Sequence, residues 1–403
     1  MPSRQLLDEI VPDRPAYLES FDTHTAWVNS RALAAAGLAA GSHTGVLKEA
    51  AMIDFERHLP KHTHEEDLDA LRRAMRLAAS RGIASIQEAS HGLERLPLYD
   101  ALSERGELTL RVRLAFDMAP GYSIEAWEKR LELYREAGRQ HGGPLISTGI
   151  IKAFADGVVE SRTASLMEPY VSADPGDPGA CGEPNWERGD LAAAVRVASA
   201  RGWQVQVHAV GDRAIRDALS AFAGCDAGRL HRVEHVEAPA TEDVGRIGTL
   251  GVIASMQPQH AEPNKNLVEV WAANLGAERA ARGWPWKSIL RAGGRVAFGT
   301  DWPVVPLDPF ASLHVATTRQ TLAGEPPGGW RPDERLDLTD ALAAWTSCAA
   351  YAENMEAEKG MLRAGMLADI AILDRDLANT PAGAIAHTKV EATVVGGRLV
   401  YGR

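Results

Sequence analysis

The stretch WQVQVHAVGD, residues 203–212, decides how the chain reads. Val205, Val207 and Val210 alternate with polar neighbours, which is the period of a strand, and His208 falls near its C-terminal end. Gly211 and Asp212 then open a helix, DRAIRDALSAF, with Asp212 expected as its N-cap. In a parallel α/β barrel the C-terminal ends of the strands carry the chemistry, so the histidine stands where a functional group belongs.

Three more strands deliver polar residues the same way. HRVEHVE, residues 231–237, brings His235, with His231 at the strand's start as the weaker metal ligand. RVAFGTDWP, residues 295–303, brings Asp301, and ISTGIIKAFADG, residues 146–157, places Lys152 inside an apolar run. A lysine there is costly unless it is paired, with Asp156 or Glu160 within reach, or modified. Lys, His, His and Asp at the ends of four strands form a metal-site constellation. Seven strands are readable in all: GIASIQE, LRVRLAF, GIIKAFA, WQVQVHA, HRVEHVE, VIASMQ and RVAFGTD. Helical patterns separate them, which indicates a TIM-like (β/α) barrel over residues 1–355. Residues 356–403, with GMLADIAILD and KVEATVVGGRLVYG, alternate with period two and carry a small β element.

Charge and composition exclude other classes. The chain of 403 residues has 43 basic and 54 acidic residues, a net charge of −11, which argues against nucleic acid or an anionic membrane as partner. Its 45% hydrophobic and 24% charged content are those of a globular protein. No run approaches the ~18 apolar residues of a membrane span. Cys181, Cys225 and Cys348 are widely spaced and odd in number, which points away from a disulfide framework or thiolate zinc site and fits the cytoplasm.

The segments FDTHTAWVNSRALAAAGL, GIIKAFADGVVESRTASLMEPY, VQVHAVGDRAIRDAL, HRVEHVE, AFGTDWPVVPLDPF and LADIAILDRDL, in that order, resemble the amidohydrolase superfamily. The likeness is to its branch of YtcJ-like and N-substituted formamide deformylase-like hydrolases, and it runs from about residue 12 to the C-terminus. The resemblance implies a (β/α)8 barrel whose first strand ends in an HxH pair, beside a β-sandwich. Neither that strand nor the N-terminal half of the sandwich is readable here, so a seven-stranded barrel with a partial sandwich is expected. An open strand edge invites a partner, a homodimer included.

The resemblance further implies one or two divalent ions, zinc by preference, held by Lys152 as a carbamate, His208, His235 and Asp301. Asp301 would take the proton from a metal-activated water and return it to the leaving nitrogen of a C–N bond in an amide or formamide small-molecule substrate. An esterase or lactonase on the same site and a catalytically silent relative stay open as alternatives. His24, Arg162, Arg213 and Trp302 are candidate substrate contacts, with His260 and Tyr170 as pocket lining.

Other features are local. Asn29 and Ser30 should cap a short helix ended by Gly37, Thr63 and Glu66 form a capping box, and the Pro/Gly-rich run 169–185 reads as a rim loop of lid type. His62-Thr63-His64 is the one HxH present, and the helix start explains it better than metal binding.

Overall fold

The computed structural model describes residues 2–21, 23–38, 44–174, 176–177 and 179–403. Asp22 in the first motif and Pro175 and Pro178 in the rim loop lie outside the described residues. The chain forms two compact units, Met1–Thr63 with Trp302–Val305, and His64–Asp301 with Pro306–Arg403.

The first unit holds a three-stranded antiparallel sheet, β1 (Tyr17–Glu19), β2 (Thr25–Val28) and β3 (Val46–Lys48), in that order. These strands stand outside the strand–helix repeat that marks the second unit, and only the adjoining helix was legible. That helix, Ser30–Ala35, is capped as expected, with Asn29 Oδ1 accepting from the Ala32 amide at 2.9 Å. Asn29 is fully buried, and its amide donates to the Val11 and Arg14 carbonyls, so one side chain serves both the cap and the preceding turn.

The second unit contains all seven strands read from the sequence: β4 (Ser85–Glu88), β5 (Arg111–Met118), β6 (Ile146–Phe154), β7 (Gln204–Ala209), β8 (Arg232–His235), β9 (Ile253–Met256) and β10 (Arg295–Phe298). They pair in parallel in sequence order, so their C-terminal ends share one edge. Among the described residues β4 and β10 are the sheet's two ends.

The sheet is curled. Gln87 on β4 hydrogen-bonds Gln206 on β7, three strands along, and Arg232 on β8 donates to both. In a flat sheet those strands would stand ~14 Å apart, beyond reach of side chains perpendicular to it. The period-two reading of β7 follows from this curvature. Val205 and Val207 face the helices Asp190–Ala200 and Asp212–Phe222, within a core that includes Val195, Ile215 and Leu219. Gln204, Gln206 and His208 face the concave side and are buried as well. Below the Gln87, Gln206 and Arg232 layer, Gln204 donates to the Ala352 carbonyl at 2.8 Å and Arg113 to that of Glu353, which closes the N-terminal end of the concavity.

One local reading is corrected. Asp212 is the first helical residue rather than the cap; Gly211 takes the cap position, and the Asp212 carboxylate accepts from the Met167 amide at 2.8 Å. A Cβ at Gly211 would lie 2.1 Å from the Ser165 carbonyl oxygen, so only glycine fits that approach. Two short helices follow from residue 338, Leu338–Trp345 and Ser347–Ala352, broken at Thr346. Tyr170, expected as pocket lining, is 2% exposed, and its hydroxyl donates to the Ala164 carbonyl.

β11 (Ile370–Leu373), β12 (Val390–Val395) and β13 (Arg398–Gly402) form an antiparallel three-stranded sheet in the same unit. It is fastened by an Arg111–Asp369 ion pair at 2.7 Å and by Thr393 Oγ1 donating to the Ala79 carbonyl. Residues on both sides of position 355 therefore stay together. No helix among the described residues is long and apolar enough to cross a membrane.

Candidate metal centre

Strand register sets the site. Phe154 lies opposite His208, and Ala209 opposite His235, so the ends of β6, β7 and β8 bring Lys152, His208 and His235 to one rim. The His208 and His235 ring centroids are 4.4 Å apart, His235 and His260 6.0 Å. Lys152 Nζ sits 4.5 Å from the Phe154 ring, which is 5.2 Å from His208. Asp301 follows β10, and its Oδ2 is 3.2 Å from His260 Nε2. The four residues expected to converge are thus grouped, and His260 joins them.

The backbone turns sharply to present them. His235, Val236 and Asp301 have φ of 75°, 48° and 60°. Left-handed backbone at a branched or bulky residue costs about 1–2 kcal/mol and persists where its surroundings over-determine it.

Hydrogen bonds assign each group. Asp156 is fully buried and accepts from the amides of Ser165 at 2.8 Å, Val210 at 3.1 Å and Gly211 at 2.9 Å. Its carboxylate binds the loops after β6 and β7 together, and no ion pair with Lys152 is found among the described residues. His208 Nε2 lies 3.0 Å from the Gly157 carbonyl and donates to it. His235 Nδ1 lies 2.9 Å from Gln257 Oε1; donation there leaves the Nε2 lone pair for a ligand.

Electrostatics follow from burial. Lys152 is 4% exposed; desolvation pulls its ammonium below the usual lysine range, against the opposing charges of Glu234 and Asp301. Burial likewise lowers His235 to about 4 and keeps it neutral. For Asp301 burial pushes upward, but contact with His260 and the nearby His235 and Lys152 outweigh it and hold the carboxyl at about 2. It is an anion at neutral pH. Beneath the rim Arg232 Nε and Glu234 Oε1 are 3.1 Å apart and buried, an ion pair off-line for a hydrogen bond.

In kind, two imidazoles, a carboxylate and a depressed amine fit a divalent transition metal. In number they fall short: among the described residues no three of His, Cys, Asp and Glu are placed to hold one ion.

The remaining expected contacts have partners of their own or lie in the first unit. His24 Nδ1 lies 3.0 Å from Glu49 Oε2. Trp302 is 45% exposed, and His62 and His64 are exposed. Arg162 Nε donates to Asn274 Oδ1 and Arg213 Nε to the Leu166 carbonyl, both at 3.0 Å, so each fastens a rim loop. Sequence reasoning passed over Glu234 and Glu237. Their signal was a carboxylate on either side of a strand-end histidine, in VEHVE.

The sequence profile of the amidohydrolase family matches residues 1–401. The chain belongs to the amidohydrolase family. Among curated family relatives it is 30% identical to Protein LONG AFTER FAR-RED 3 of Arabidopsis thaliana, over 100% of this chain and 71% of that one. It is 26% identical to both the putative amidohydrolase YtcJ of Bacillus subtilis, over 98% and 75%, and the N-substituted formamide deformylase of Arthrobacter pascens, over 100% and 76%. Its fold resembles an uncharacterized metal-dependent hydrolase from Pyrococcus horikoshii, with TM-score 0.74, 25% identity and coverage of 95% and 76%. Family membership supports a hydrolase.

His231 stands apart from the amidohydrolase rim. Its Nδ1 accepts from the Val205 amide at 3.0 Å, so the proton sits on Nε2, 3.0 Å from Ser199 Oγ. Burial lowers its pKa from 6.5 to about 4. The unfolded chain therefore binds the extra proton between those values. The contribution of His231 to stability is complete above pH 6.5 and is lost as pH falls toward 4. Urea denaturation of His231→Gln should show a shallower loss of stability over that window, by up to ~3 kcal/mol. Equal slopes in variant and parent would count against it.

Proposed function

We propose that the chain hydrolyses a C–N bond of an amide- or formamide-type substrate, with Asp301 as proton acceptor from water and donor to the leaving nitrogen. The observation that carries this reading is the ionised Asp301 grouped with His235, His208 and Lys152 at one strand edge. The name of the Arthrobacter pascens relative supports the bond class.

The residues divide the work. Lys152, His208, His235 and Asp301 would hold the ion, which we propose is zinc, and Lys152 would do so as a carbamate. When bound, such an ion supplies a Lewis acid that polarises a carbonyl and acidifies water from about 15.7 toward ~7. A carboxylate near 2 is too weak a base for ordinary water, so Asp301 acts within a pair of effects. Its position beside His260 keeps it ionised and directed, so that it can accept the proton of a water already acidified by the ion.

A catalytically silent protein is the second reading, favoured by the shortfall in grouped ligands. Metal analysis of the purified chain, with a panel of N-formyl amines, N-acyl amines and matched esters assayed with and without added zinc, separates the readings. We expect up to one equivalent of metal and faster cleavage of amides than of esters relative to their uncatalysed rates. Ester preference would replace the bond class, and absence of turnover at every zinc concentration would leave the silent reading.

A further inference from the structure

His260 stands at the rim between two carboxylates, Asp301 and Glu237. It sits in the short turn Pro258–Ala261 directly after β9, and its Nε2 is 3.2 Å from Asp301 Oδ2. The contact is an ion pair rather than a linear hydrogen bond, because the donor direction misses the acceptor. On the other side of the ring, Nδ1 lies 3.9 Å from Glu237 Oε1, too far for a hydrogen bond but close enough to orient the imidazole.

Glu237 is itself fixed. It is 5% exposed, its Oε2 accepts from Trp271 Nε1 at 2.7 Å, and its carbonyl accepts from the Trp284 amide at 2.7 Å. Trp271 is 1% exposed and packs on Trp284 with centroids 4.4 Å apart. The turn is held from the other direction by Gln259, whose side-chain amide donates to the carbonyls of Pro306 and Asp308 and to Ser312 Oγ. Rigid core aromatics thus connect through Glu237 and His260 to the group that performs the proton transfer. Side chains locked by packing and hydrogen bonds are what hold a reacting group to its productive direction.

We propose that His260 is a positioning residue for Asp301, and that Glu237, anchored by Trp271, sets the orientation of its ring. The proposal rests on the reading of Asp301 as the proton acceptor. It predicts that loss of His260 lowers turnover without weakening substrate binding, because Asp301 remains in place but loses its fixed direction.

The test uses the full chain labelled with [15N]histidine, with His260→Ala, His260→Gln, Glu237→Gln and Asp301→Asn variants. On an N-formyl amine, His260→Ala should lower kcat about 10- to 100-fold with KM within about threefold. His260→Gln, which places an amide N–H near the position of Nε2, should recover at least about threefold of that loss, and Glu237→Gln should cost about three- to tenfold. If His260→Ala fails to fold by thermal melting, the Gln variants carry the kinetic test. Independently of activity, the His260 ring nitrogen signals should shift in both Asp301→Asn and Glu237→Gln. A kcat within twofold of the parent in His260→Ala, or ring signals unmoved by Asp301→Asn, would overturn the proposal. Should the parent show no turnover, the proposed function fails on its own account, and the ring signals alone decide whether His260 engages Asp301 and Glu237.

Discussion

Replacing Asp301 by Asn is expected to lower kcat/KM for amide hydrolysis by roughly 100- to 10,000-fold, the range that a positioned proton-transfer group supplies. Asn has the same shape and can still face His260, so the fold should survive, with a melting temperature within a few degrees of the parent. What the amide lacks is the basic oxygen. Asp301 is ionised because His260, His235 and Lys152 surround it, and an uncharged replacement cannot take a proton at any pH in the working range. Steady-state kinetics on N-formyl and N-acyl amines, beside a melting curve, make the measurement. A loss of tenfold or less would show that the proton goes elsewhere.

Asp156→Ala should be the most damaging change to stability. The carboxylate is fully buried and receives three backbone amides, from Ser165, Val210 and Gly211, that join the loop after β6 to the end of β7. Truncation leaves those donors without an acceptor in the interior, and each such orphan costs about 1–3 kcal/mol. With partial rescue by water, a loss of about 3–5 kcal/mol is expected, a large share of the ~5–15 kcal/mol that holds a typical protein folded. Urea denaturation would read it directly. A change under about 1 kcal/mol would mean that the loops are held by other contacts.

The seven parallel strands were legible because each alternates with a helix and ends on a turn residue, and Lys152, His208, His235 and Asp301 were legible because polar groups at the ends of such strands break an apolar pattern. The rest depends on distant contacts that leave no local period. Asp156 lay within reach of Lys152 in the sequence as a partner, yet its oxygens are claimed by amides up to 55 residues away. His260 was visible only as a histidine after a strand; its setting between Asp301 and Glu237 comes from three separate strand ends meeting. β1 to β3 were not legible because, at three or four residues, they lack the repeated alternation with helices that marks even the four-residue strands of the second unit.

The layer of Gln87, Gln206 and Arg232 across the hollow of the sheet, with Gln204 and Arg113 sealed against residues 352 and 353 beneath it, makes the second unit a bowl with a solid base. Among the described residues these contacts span the hollow at the N-terminal end of the strands. Under the proposed function, a reactant would enter and its two fragments would leave past the strand edge where the histidines stand. On that reading the fragment released last would block the next arrival.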